Sequence, residues 1–334
     1  MALGSESYYY GNDHWKKFTF PLKSLTDALT IRERLLCSLE MAEIEKDPVK
    51  REVLLTTIII GGGPTGVEVA GAVAELKKSI LEKEFRNVKK EDVHIILIEG
   101  GPRLIPAFHP SLSDYARKQL EKMGVTVLTS LPVKDISANC VHTEFKNFRA
   151  ANIIWAAGVR GHTLLENPEI KKSRDGRVIV DEAFRLPAYS NVYVIGDLAW
   201  YQHPHTFYGE PLPALSPAAI QAGKFVAGDI LRRVNHKGAK LFHYRYKGIM
   251  STIGRSAAVV QFPRFRMKGW LAWIIWVFVH IMYLVDFQNR IIVFLRWLWF
   301  YFTWKKGSRL ITRIFELTVS DNCSGQDLQD IHEK

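Results

Sequence analysis

Apolar positions at Leu25, Leu29, Ile31, Leu35 and Leu36, behind a Ser24/Asp27 capping-box pair and ahead of Pro48, predict a helix over 24–46. From 54 to 60 the apolar residues become continuous and β-rich, the pattern of a strand covered on both faces. Glycines interrupt the chain at 61, 62, 63 and 66, and helical spacing resumes over 67–83. A second continuous run at 93–98 ends in Glu99. A helix over 111–123, a strand over 125–128, short strands within 134–142 and an apolar strand over 151–155 follow. Past Gly158 the pattern gives strands over 178–181 and 192–195, then a helix over 216–233. Ser216 is placed to cap that helix and Pro217 to open it. Strands alternating with helices make this an α/β chain.

The last quarter reads differently. Two apolar runs, 270–285 and 291–304, are separated by Asp286, Phe287, Gln288, Asn289 and Arg290. Each is shorter than the ~18 apolar residues that a spanning helix needs. Trp270, Trp273, Trp276, Trp297, Trp299 and Trp304 lie in them, six of the nine tryptophans. The surrounding cations are Arg264, Arg266, Lys268, Arg290, Arg296, Lys305, Lys306, Arg309 and Arg313. Against Asp286 alone they hold +8 of the chain's net +11. Aromatic, cation-flanked short helices predict a monotopic hairpin in the headgroup region of an anionic membrane. A pair of buried core helices is the competing reading. Nucleic acid is not an expected partner, because the cations bracket apolar runs instead of covering a polar face.

At 334 residues the chain has room for two domains, and 47% hydrophobic with 24% charged residues excludes intrinsic disorder. Residues 1–15 are polar and hold no signal-like apolar segment, so the expected docking side is the cytoplasmic face. Cys37, Cys140 and Cys323 form no CxxC and no ligand cluster, so neither a disulfide scaffold nor a metal site is expected, and a reducing compartment fits.

The chemistry concentrates at Gly61, Gly62, Gly63, Pro64, Thr65 and Gly66, between a buried strand and a helix. Read as GxGxxG, Gly61 permits the tight turn, Gly63 lets backbone approach a pyrophosphate, and Gly66 allows close helix–strand packing. The helix start supplies N–H groups to the anion. Glu99, ending the next strand, suits a ribose diol and repels a 2′-phosphate, which favours NADH; Arg103 nearby moderates that preference. Further on, Asn191, Val192, Tyr193, Val194, Ile195, Gly196 and Asp197 place a carboxylate at a strand's C-terminal end, where open α/β sheets bind ligands.

The succession GGGPTGVE, IWAAGV, NVYVIGD, a proline-started Ala/Gln helix and a two-run aromatic C-terminus resembles the type II NADH:quinone oxidoreductases. The resemblance implies an α/β, two-dinucleotide-binding-domain flavoprotein: a Rossmann-like NADH domain inserted in an FAD domain, with a C-terminal amphipathic helical membrane anchor. The domains expected from it are 1–52 (residual first flavin half and connecting helix), 53–158 (NADH domain) and 159–260 (second flavin half). Anchoring helices at 261–316 and a polar tail at 317–334 complete the set. It further implies hydride transfer from NADH to FAD and electron transfer to a membrane quinone, without proton pumping. For NADH it assigns the 61–66 loop, Glu99, Ala157 and Gly158. For FAD it assigns Gly4, Gly196, Asp197, Ala218 and Ala219 at the start of the 216–233 helix, and Lys247 and Gly248. Glu68 and Gln221 are its catalytic candidates, near the nicotinamide and quinone. The related flavoprotein disulfide reductases need a redox-active cysteine pair, which these spacings do not offer. Upstream of Leu54 the only glycines are Gly4 and Gly11, so the flavin fingerprint is missing and the expectation is an N-terminally truncated chain with compromised FAD binding. A homodimer, a separate N-terminal FAD half, and a non-catalytic membrane-attached NADH-binding remnant all remain open.

Overall fold

The computed structural model describes residues 1–162, 169–204, 209–284 and 286–303, without the side chains of 79–84, 300, 302 and 303. The chain forms two compact units: Tyr9–Ala157 with Ile249–Lys334, and Met1–Tyr8 with Gly158–Gly248.

In the larger unit a parallel five-stranded sheet runs in the order Phe20–Pro21, Asn152–Trp155, Thr56–Ile60, His94–Ile98, Val125–Leu128. Strand residues alternate between two cores, so the continuous apolar runs are covered on both faces. Ile59, Ile95 and Leu97 pack with the helical face. Ile58, Ile60, Ile96 and Ile98 pack with Phe148, Trp15 and Tyr9 on the other. Helix α1 (Leu25–Ile44) opens with the capping box complete: Ser24 Oγ accepts from Asp27 N, and Asp27 Oδ2 accepts from Ser24 N at 2.8 Å.

Pro48 does not simply end this helix. It starts a second one, α2 (Pro48–Leu55), capped by Asp47 Oδ1, which accepts from Val49 N at 2.9 Å. Leu54 and Leu55, expected in the strand, therefore form the last turn of α2, and the strand starts at Thr56. A short buried apolar run carries no period that separates helix from strand. Helices α3 (Pro64–Glu84) and α4 (Pro110–Lys122) cover one face of the sheet. An antiparallel sheet of Val133–Ser137, Cys140–Thr143 and Asn147–Arg149 contributes to the other.

Among its described residues the smaller unit holds three two-stranded sheets, which alone would be marginal. Ser5–Ser7 pairs antiparallel with Val159–Gly161. Its core is aromatic: Phe184 stacks on Tyr201 at 4.2 Å and meets Phe242 edge-on at 4.9 Å. Helix α5 (Ser216–Val234) packs against it through Ala222 and Val226.

From Ile249 the chain returns to the larger unit as an antiparallel sheet of Ile249–Gly254, Ala257–Gln261 and Arg266–Gly269. The segment expected as 159–260 is thus divided in the structure. Gly71 of α3 lies against the returning strand, where a Cβ would stand 2.1 Å from the Ile253 carbonyl oxygen. Helix and strand meet closely because that side chain is absent.

The two apolar runs become α6 (Trp270–Tyr283) and α7 (Phe287–Thr303). Most of the expected connector is the first turn of α7. Trp276 stacks on Trp297 at 5.9 Å, and Ala272 seats α6 against Ala258 and Val260. Other apolar positions stay exposed, Phe278 at 63% and Trp299 at 62%, so neither helix is enclosed in a core. Among the described residues no helix is long and apolar enough to cross a membrane. Trp304, Lys305, Lys306, Arg309, Arg313 and the 317–334 tail lie outside the described residues.

Candidate functional site

In the larger unit the central strand Thr56–Ile60 has His94–Ile98 on one side and Asn152–Trp155 on the other, so the strand order reverses there. The crevice beyond the C-terminal ends at such a switch point is where open α/β sheets take ligands. The 61–66 loop, Glu99 and the Ala156–Ala157 pair all leave the sheet at this edge.

The glycines of the loop have separate jobs. Gly61 has φ +108, and a Cβ on it would lie 2.6 Å from Ala157 Cα and 2.7 Å from the Ala156 carbonyl. Gly66 would drive a Cβ to 1.8 Å from the Gly61 carbonyl oxygen, so helix α3 can sit on the strand only with glycine there. Gly62 is closed in by Leu104 and Glu99. Gly63 alone opens outward, with nothing within 4 Å of its Cβ position. It is the N-cap of α3 and brings no side-chain cap, so the helix start faces that open space with amides no side chain has taken.

Glu99 is half-buried, and each of its oxygens accepts a backbone amide: Gly62 N at 2.5 Å and Gly101 N at 2.6 Å. A carboxylate has about four acceptor positions, so capacity for ribose hydroxyls remains. The sequence signal missed the segment that supports this. Ile105, fully buried, sits in the left-handed region (φ +41) and donates its N–H to the Gly62 carbonyl at 2.7 Å. A β-branched residue held there costs about 1–3 kcal/mol, and such strain clusters at functional sites. Ala157 presents its carbonyl to the Tyr10 hydroxyl at 2.6 Å.

Glu68 lies on a stripe of α3 with Gly71 and Glu75. Its Oε1 accepts from Ser251 Oγ and Thr252 N, both at 3.2 Å. One turn on, Gly71 touches the Ile253 carbonyl, and one turn further Glu75 accepts from Arg255 N. Two carboxylates and a glycine thus lock the Ile249–Gly254 strand to the helix. Burial pushes the Glu68 carboxyl above its usual range, and the two hydrogen bonds only partly offset it. The partners of Glu68 are nearly two hundred residues away in sequence, so no local signal could have named them.

In the smaller unit Ser5, next to Gly4, donates from Oγ to Asp197 Oδ2 at 3.1 Å. Gly4 and Gly196 both have φ +72, and the Cβ position of Gly196 is 3.6 Å from Ala219 Cβ. Gly4, Gly196, Asp197 and Ala219 therefore converge, with Ala218 and Ala219 in the first turn of α5. The N-cap of α5 is Leu215, one residue before the expected Ser216, and it supplies no side-chain cap. Gln221 turns its amide to backbone: Nε2 donates to Pro217 O and Arg245 O at 3.1 Å, and Oε1 accepts from Arg245 N at 2.9 Å. This clamp holds the segment that leads to Lys247 and Gly248, the latter at φ +92. Gly158 also belongs to this unit; at φ +151 its carbonyl accepts from Tyr8 N at 3.1 Å. Among the described residues no group of three His, Cys, Asp or Glu side chains could hold a metal ion.

The sequence profile of the family described as pyridine nucleotide-disulphide oxidoreductase matches residues 1–223. The type II NADH:quinone oxidoreductase Ndh of Mycobacterium tuberculosis is 34% identical over 324 residues, covering 93% of this chain and 68% of that protein. Its NdhA counterpart is 33% identical over 311 residues, with coverages of 89% and 64%. The internal alternative NAD(P)H-ubiquinone oxidoreductase A1 of Arabidopsis thaliana mitochondria is 29% identical over 319 residues, with coverages of 89% and 61%. The chain thus spans 61 to 68% of the length of these relatives. Among solved structures, NDH2 from Plasmodium falciparum in complex with NADH superposes with a TM-score of 0.81 over 90% of this chain and 77% of that one. At 20% identity that likeness speaks for the fold.

Proposed function

The chain belongs to the pyridine nucleotide-disulphide oxidoreductase family, and within it to the type II NADH:quinone oxidoreductases; on that premise we propose that it passes electrons from NADH by way of FAD to a quinone at a membrane surface, without pumping protons. The observation that carries the reading is the open, uncapped start of α3 at Gly63, set at the switch point of a parallel sheet.

In this reading the amides of Gly63, Thr65 and Gly66 receive the NADH pyrophosphate. Glu99, already oriented by Gly62 and Gly101, receives the adenosine ribose hydroxyls. Ala157, just past the Asn152–Trp155 strand, completes the NADH set of the larger unit. For the ribityl and pyrimidine end of FAD the smaller unit offers Asp197 beside Ser5, and the start of α5 with Ala218 and Ala219 in its first turn. Bound there, the flavin would accept a hydride from NADH and return two electrons to quinone. The helix dipole of α5 favours the negative charge that a reduced flavin ring carries. Gln221, through its clamp on Arg245, holds Lys247 and Gly248 in place. Glu68, desolvated beside Ser251 and Thr252, is a carboxyl that can hold a proton above the usual carboxylate range. The sequence carries one GxGxxG, at 61–66, so the FAD pyrophosphate would be held by a further segment. The exposed faces of α6 and α7, with Arg264, Arg266 and Lys268 close by in sequence, suit peripheral docking on an anionic bilayer.

The test is thermal unfolding of the full chain with and without NADH, followed by NADH-dependent quinone reduction with FAD supplied. NADH at a hundred times its Kd should add about 2.7 kcal/mol of stability. No NADH stabilisation would remove the basis of the reading. Stabilisation without turnover, even with the flavin half added, would leave an NADH-binding protein and refute the enzyme.

A further inference from the structure

We infer that Arg103 is a positioning residue that holds the dinucleotide loop in its binding shape, and that it does not serve as a ligand for a 2′-phosphate; the inference rests on the NADH site proposed above. An arginine four residues after the acidic end of the second strand stands where a guanidinium could reach such a phosphate. Here the group is engaged by backbone of its own segment. Its Nη1 donates to the Phe108 carbonyl at 2.9 Å and its Nη2 to the Pro106 carbonyl at 2.7 Å. The six residues from Arg103 to Phe108 are thereby drawn into a ring, closed within by Phe108 N donating to the Ile105 carbonyl at 2.9 Å.

What the ring holds is Ile105. A buried β-branched residue does not keep φ +41 unless its surroundings impose it. In that conformation its N–H reaches the Gly62 carbonyl at 2.7 Å, while Glu99 takes the Gly62 N–H at 2.5 Å. Gly62 is therefore gripped at both of its polar atoms, and Leu104 stands 2.6 Å from its Cβ position. The orientation of the next residue, Gly63, follows from that grip. Arg103 thus acts on the dinucleotide through Ile105 and Gly62. With two of its five N–H donors committed to these carbonyls, it would have to approach a 2′-phosphate beside the Glu99 carboxylate, which repels the same phosphate.

The two roles predict different binding patterns. A phosphate ligand, once removed, weakens NADPH alone. A loop-positioning group weakens NADH and NADPH by the same factor, because both use the same loop. The experiment measures NADH and NADPH dissociation constants by fluorescence titration for the full chain, Arg103→Ala and Arg103→Lys. Arg103→Ala is expected to lose about fivefold to tenfold in NADH affinity, one hydrogen bond's worth, with the NADPH/NADH ratio unchanged within about twofold. Arg103→Lys, which can still donate to one carbonyl, should fall between. If Arg103→Ala does not fold, as judged by circular dichroism, Arg103→Lys carries the same test. A selective loss of NADPH affinity overturns the inference, and so does unchanged NADH affinity in both variants. Failure of the unaltered chain to bind NADH would instead strike the site itself.

Discussion

Substituting Gly63 by alanine separates the ligand site from the stability of the fold. The backbone at Gly63 is already one that alanine adopts (φ −67, ψ 179), and the added methyl meets nothing within 4 Å. As an N-cap, alanine is somewhat poorer than glycine, so the unliganded protein should change by less than about 1 kcal/mol. Binding is another matter, because the methyl would stand where the pyrophosphate approaches the helix amides. Displacing two charge-assisted hydrogen bonds at about 1.5 kcal/mol each removes about 3 kcal/mol, roughly a 150-fold loss of affinity. At an NADH concentration of 100 times the unaltered Kd, the parent gains about 2.7 kcal/mol and the variant about 0.3 kcal/mol. Thermal unfolding at matched NADH reads this difference directly. Equal NADH stabilisation in both proteins would refute the placement of the pyrophosphate. A loss above about 2 kcal/mol without NADH would refute the claim that Gly63 faces open space.

Three further outcomes are expected. Gly71→Ala should destabilise the unliganded protein by about 1–3 kcal/mol despite better helix propensity, since the methyl meets the Ile253 carbonyl and backbone cannot yield; denaturant titration checks it, and a stabilised variant would contradict the helix–strand contact. The raised Glu68 carboxyl binds its proton more tightly in the folded state. Its contribution is present in full below the unfolded value, ~4.3, and is lost as pH rises through the folded value. Glu68→Gln, uncharged at every pH, should flatten that decline above the unfolded value, and parallel stability curves for the two proteins would contradict it. The paired substitutions Phe278→Glu and Trp299→Glu, at exposed positions, should leave stability intact. They should lower partition onto anionic vesicles roughly hundredfold, as two lost aromatic insertions imply, and unchanged co-sedimentation would argue against docking through α6 and α7.

Much of the dinucleotide unit is legible in short stretches of the chain. The capping box at Ser24 and Asp27, the buried strand into Gly61, and Glu99 at the end of the next strand are all local patterns. Where the pattern is ambiguous, expectation and structure part. Leu54 and Leu55 are apolar in helix or strand alike, and only Asp47 as a cap reveals α2. The site residues differ in the same way. Glycine spacing announces the loop, but nothing near Glu68 in sequence announces Ser251, and nothing near Gln221 announces that its amide serves Arg245.

By itself, then, the order of residues determined what is short-range: helix starts, buried strands, a glycine-spaced turn with an acid after the next strand, and a cationic, aromatic C-terminal stretch. Each of these is decided within a few residues by backbone geometry or by side-chain period. Tertiary structure alone decided which long-range partners the buried polar groups took. Glu68 and Glu75 had to satisfy themselves on the Ile249–Gln261 hairpin because helix α3 buries that face. The same holds for Ile105, whose left-handed backbone exists only because Arg103 and Gly62 close around it. Polar atoms removed from water must find partners wherever the packed chain brings them, and the sequence does not record that distance.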